Sequence, residues 1–173
     1  MSPGREEKSV GTEQTFFDTV SDRDHARRVL LDQAHQCAAR LRAAGLRARV
    51  VVLKARGADF TTLTRSRTLA DPTDLARDVF AVVERLFAAL PTPSGGFRLL
   101  GVRVEGLVRA DEGVQLLLDE DPRRGAPERA ADAVRRRWGP GALAPASLLA
   151  PPGAGRSRRA PGPGREGGRG ACG

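Results

Sequence analysis

The chain has 173 residues and 40% hydrophobic content, enough for one small core with extensions. A formal net charge of +8 and a pI of about 11.1 are the electrostatic footprint of nucleic-acid binding. Lys8 and Lys54 are the only lysines, so an Arg-rich coding bias accounts for part of that charge. The 4% aromatic content, with no Tyr, argues against a base-stacking sheet of the RNA-recognition kind. Cys37 and Cys172 lack the paired spacing of a zinc site or a disulfide framework, which fits a reducing cytoplasm. The N-terminal MSPGREEKSV has no apolar signal core, and no run reaches the ~20 apolar residues of a membrane span.

The segment Lys8 to Phe17 carries Val, Thr and Phe without a helical period and reads as a strand. Ser21 is placed to cap a helix, with Asp24 at the acidic position of a capping box. Ala26, Leu30, Ala34, Cys37, Ala38 and Leu41 then recur at helical spacing, and Gly45 supplies the stop. His25 and His35 lie ten residues apart on this helix, off a common face, and read as surface residues rather than a metal pair.

Strands follow at Arg49 to Arg56 and Phe60 to Leu69, joined by a Gly57-Ala58-Asp59 turn. Asp71-Pro72 opens a second helix with Pro at its first position. Its apolar stripe is Leu75, Val79, Val82, Val83, Leu86 and Leu90. After a PTPSGG turn, Phe97 to Leu107 forms a fourth strand. The order β-α-β-β-α-β predicts an α+β, ferredoxin-like fold, with both helices on one face of a four-stranded sheet and the other face free. A short helix is expected over Glu128 to Trp138, anchored by Val134 and Trp138. From Ala150 the Pro-, Gly- and Arg-rich tail cannot bury enough apolar area to fold and is expected to be disordered. The expected domains are an extension over 1–7, a folded module over 8–108, a C-terminal extension over 109–149 and the tail over 150–173.

Between Arg47 and Leu75 the chain interleaves Arg49, Lys54, Arg56, Arg65 and Arg67 with hydroxyls at Thr61, Thr62, Thr64, Ser66 and Thr68. Cations supply affinity for a row of phosphates, while hydroxyls and backbone amides fix register. No Ser-His-Asp set, Cys-His pair, carboxylate pair or phosphate-binding Gly loop points to an enzyme, and no catalytic or metal-ligating residue is assigned.

KSVGTEQTFF, LKARGADFTTLTRSRTL, the DPTDL helix start and RLLGVRVEGL, in this order and spacing, together resemble the little-finger domain of Y-family translesion DNA polymerases, above all the DinB type. The resemblance covers about Lys8 to Leu118. It implies a module that lays its sheet on the backbone of a primer–template, in translesion synthesis and DNA repair. On matching positions it implies DNA contacts by Ser9 and Gly11 on the first strand and Lys54 on the second. Thr64, Arg65, Ser66 and Arg67 match on the third strand, and Arg98 and Arg103 on the fourth.

Gln115, Leu116 and Leu118 resemble the sliding-clamp-binding peptide of these polymerases, with Asp119 and Glu120 where an aromatic often follows. The palm, fingers and thumb of the family precede the little finger, whereas here Met1 lies just before the first motif. The chain is therefore expected not to polymerise alone and to hold no cofactor; Mg²⁺ would belong to the missing palm. The implied partners are DNA, the sliding clamp and a separate catalytic portion, with no membrane and a bacterial, nucleoid-associated cytoplasmic setting. The alternative is a clamp-interacting accessory fragment with little DNA binding of its own.

Overall fold

A computed structural model describes residues 9–111, 125–139 and 141–143. Seven elements follow in order: β1 (Ser9–Val20), α1 (Arg23–Ala44), β2 (Leu46–Gly57), β3 (Thr62–Thr73), α2 (Ala76–Ala88), β4 (Phe97–Arg109) and α3 (Ala126–Trp138). The first six are the expected β-α-β-β-α-β series. The strands form one sheet in the order β1-β4-β2-β3, with every neighbouring pair antiparallel. Each helical crossover therefore joins two parallel strands with an antiparallel one between them.

The core lies between this sheet and helices α1 and α2. Ala26, Leu30, Ala34, Cys37 and Leu41 of α1 and Val79, Val82 and Val83 of α2 are buried as the periodicity predicts, whereas Phe87 takes the buried place expected of Leu86, which is only partly buried. They meet Val10, Val51, Leu53, Ala55, Leu100, Val102 and Val104 from the strands. Each such Leu or Val contributes roughly 1.5–3 kcal/mol relative to exposure. One buried polar bond pins the layers: the Gln33 amide donates to the Leu100 carbonyl at 3.0 Å.

Helix α1 is capped by Asp22, not Ser21; the Asp22 carboxylate accepts the Asp24 N–H at 2.9 Å. It ends as expected at Gly45, whose φ of +65° is open to a residue without Cβ.

Asp71-Pro72 does not start α2. Strand β3 runs on to Thr73, and α2 begins at Ala76. The Thr73 hydroxyl accepts the Leu75 N–H and donates to Asp78. The helix's own N-cap residue, Leu75, offers no side-chain acceptor. The Glu128 carboxylate of α3 takes that role, accepting the Ala76 N–H at 2.8 Å. The capping partner is some fifty residues away in sequence, which local signals cannot reveal.

Helix α3 forms over the expected residues, but it buries no residue fully, and of the expected anchors only Val134 is even partly buried. Trp138 is 71% exposed. The docking is ionic: Arg42, only 8% exposed in its side chain, contacts Glu128 at 2.7 Å and Asp132 at 2.5 Å. The two carboxylates hold the guanidinium pKa above its ordinary value despite opposing desolvation. His35 lies half-buried beside α3 rather than on the open surface.

Candidate nucleic-acid interface

Residues directly opposite in an antiparallel sheet point to the same side, so the register lists what the helix-free face presents. Four rows cross all four strands. They are Ser9–Glu105–Val50–Thr68, Gly11–Arg103–Val52–Ser66, Glu13–Gly101–Lys54–Thr64 and Thr15–Leu99–Arg56–Thr62. Hydroxyls line both edges, on β1 and β3. Arg103, Lys54 and Arg56 occupy the two central strands. Val52 and Leu99 form an apolar floor between the long cationic stems. No aromatic side chain stands in these rows, which disfavours base stacking across the sheet.

Two glycines shape a shallow cavity of about 410 Å³ on this face, lined in part by Gly11, Glu13, Lys54, Thr64, Gly101 and Arg103. A Cβ at Gly101 would stand 2.9 Å from the Glu13 Cβ. A Cβ at Gly11 would press on the Arg103 stem at 3.2 Å. Glycine here is a matter of close approach rather than of φ.

The face carries its own counter-charges. Lys54 Nζ contacts Glu13 Oε2 at 3.0 Å, and Arg103 contacts Glu105 at 2.7 Å. Lys54 and Arg103 are 39% and 55% exposed in their side chains, so these pairs hold the cations weakly and leave them exchangeable. Arg56 Nε donates to the Thr62 hydroxyl at 2.8 Å.

Of the residues singled out in the sequence, Ser9, Gly11, Lys54, Thr64, Ser66 and Arg103 come together on this face. Arg65 and Arg67 do not join them. They sit opposite the core residues Leu53 and Val51, so they point to the helix side of edge strand β3, where both are exposed. Arg98 lies where the β4 register slips beside Phe97, and its guanidinium stands 4.9 Å from the Phe60 ring centroid.

Glu13, Glu105 and Gly101 are positions on this face that sequence reasoning missed. Only the register shows that they share the face with the cations. Gln115, Leu116 and Leu118 lie outside the described residues. Among the described residues, no group of three or more His, Cys, Asp or Glu is placed to hold a metal ion, and no helix is long and apolar enough to cross a membrane.

The family model of the impB/mucB/samB family C-terminal domain matches residues 7–118. A DNA polymerase IV of Streptomyces coelicolor is 47% identical over 103 residues, covering 60% of this chain and 21% of that protein. A DNA polymerase IV of Caulobacter vibrioides is 35% identical over 144 residues, covering 83% of this chain and 36% of that protein. The chain thus spans about a fifth to two fifths of the length of the curated relatives it matches. A solved complex of β-clamp processivity factor and the little finger domain of PolIV is 18% identical, with a TM-score of 0.45 over 56% of this chain and 86% of that one; so loose a superposition adds nothing to the family match. A β-α-β-β-α-β sheet with one uncovered face, matched over most of its length, makes this chain a member of the impB/mucB/samB family C-terminal domain, the little-finger module of Y-family, DNA polymerase IV-type enzymes.

Proposed function

We propose that the chain binds duplex and primer–template DNA, damaged template included, as the little finger of a translesion polymerase. The observation that carries this reading is the uncovered face itself. Its cations occupy the two central strands, and its hydroxyls flank them on both edges. A duplex laid on that face meets Lys54, Arg56 and Arg103 along its middle and hydroxyls, with Glu13 among them, along its margins. Phosphate contact of this kind supplies grip without sequence preference.

Catalysis is not part of the proposal for these residues. Two-metal phosphoryl transfer would belong to a palm domain with its own Mg²⁺, supplied by a separate catalytic portion. The sliding clamp is the second proposed partner, through Gln115, Leu116 and Leu118, in a bacterial cytoplasmic, nucleoid-associated setting. Tethering by such a peptide raises local concentration rather than intrinsic affinity.

Anisotropy titration of a labelled duplex against salt tests the reading. With about five phosphates neutralised, the log–log slope is expected near −4 to −5. A flat dependence together with intact clamp capture would favour the accessory-fragment alternative.

A further inference from the structure

We propose that Phe60, backed by Arg98, is a stacking platform for an unpaired nucleobase at the end of the open sheet face; the proposal rests on the DNA-binding reading above. Phe60 occupies the β2–β3 turn with φ at +64°, the one non-glycine residue at positive φ among those described. A bulky side chain meets a steric cost there that glycine does not. The surrounding turn enforces the conformation. The Gly57 N–H donates to the Thr61 carbonyl at 3.0 Å, and the Phe60 N–H donates to the Gly57 carbonyl at 3.0 Å. The Asp59 carboxylate accepts both the N–H and the hydroxyl of Thr61. The fold would accept glycine at this position more readily than phenylalanine, so its aromatic ring serves something other than the turn.

The ring is 63% exposed, and the Arg98 guanidinium stands 4.9 Å from its centroid. An exposed aromatic next to a guanidinium is what a base needs for stacking. The location selects nucleic acid over a protein partner. The last paired row before the turn holds Arg56 and Thr62, so a cation and a hydroxyl stand at the sheet end that the turn closes. A duplex resting on the face with its end at this turn would present a single-stranded extension to the ring.

The test compares the full chain with Phe60→Gly and Phe60→Trp, using anisotropy on a blunt duplex and on the same duplex with a short single-stranded overhang. Wild type is expected to prefer the overhang substrate. Phe60→Gly should weaken that substrate roughly tenfold, leave the blunt duplex unchanged and raise the melting temperature; Phe60→Trp should keep the preference. An equal affinity of wild type for both substrates overturns the inference. So does a Phe60→Gly protein that melts lower and loses both substrates alike, which would make the Phe60–Arg98 contact structural. If wild type binds neither DNA at low salt, the DNA-binding reading itself fails.

Discussion

Lys54 reaches Glu13 across Gly101: the three stand in one row of the open face, and the ammonium and carboxylate meet at 3.0 Å over the strand that has no side chain there. The face therefore contains a competitor for the phosphates it is proposed to bind. Replacing Glu13 by Gln frees Lys54 and removes a negative charge from the open face. Duplex affinity is expected to rise about threefold to tenfold at low salt and to converge with wild type at high salt. Unchanged affinity at low salt would show that Glu13 does not compete.

Cations on the two sides of the sheet should behave differently. Lys54→Ala and Arg103→Ala remove cations from the open face, and each should lower the salt slope by about 1 on any DNA sequence. Arg65→Ala and Arg67→Ala remove cations from the opposite side of an edge strand, and each should lower it by less. Equal slopes for all four variants would mean that DNA wraps around the β3 edge.

Arg42 joins α1 to α3 and, through Glu128, to the start of α2. Arg42→Ala removes the partly buried cation shared by Glu128 and Asp132, leaving Asp132 only its longer contact with Arg135, and should cost roughly 3 kcal/mol in urea denaturation. Glu128→Gln keeps an oxygen that can accept the Ala76 N–H, so its loss should be smaller. Ala at the same position removes that acceptor and should cost about 1 kcal/mol more than Gln.

Burial lowers the His35 pKa below its ordinary value near 6.5; Glu128 and Asp32 oppose the shift, while Arg135 and Arg42 add to it. Between the folded and unfolded values the unfolded chain binds more protons. Stability is then complete above about 6.5 and declines as pH falls through that value towards the folded one. His35→Gln should flatten this limb of a melting-temperature profile, and a profile identical to wild type would exclude the histidine.

Desolvation raises the Cys37 thiol to about 11. In a Cys172→Ser background the native protein should resist iodoacetamide at pH 8 and react once unfolded in urea. Rapid native labelling would show that α1 opens.

The sequence by itself determined the elements and their order, because hydrophobic period, Gly45 and the β2–β3 turn are local signals. It also identified the family, because its motifs fall on those elements in register. Only the tertiary structure decided which side each strand residue faces. Strand alternation divides TRSR between two surfaces, but which surface lies open depends on strand order and on where the helices land. The same holds for Glu13 opposite Gly101 and for Glu128 capping α2, contacts made across tens of residues by packing that leaves no local trace. The physical reason is range: propensity and capping act over a few residues, whereas a binding face is the sum of four strands brought together by a core.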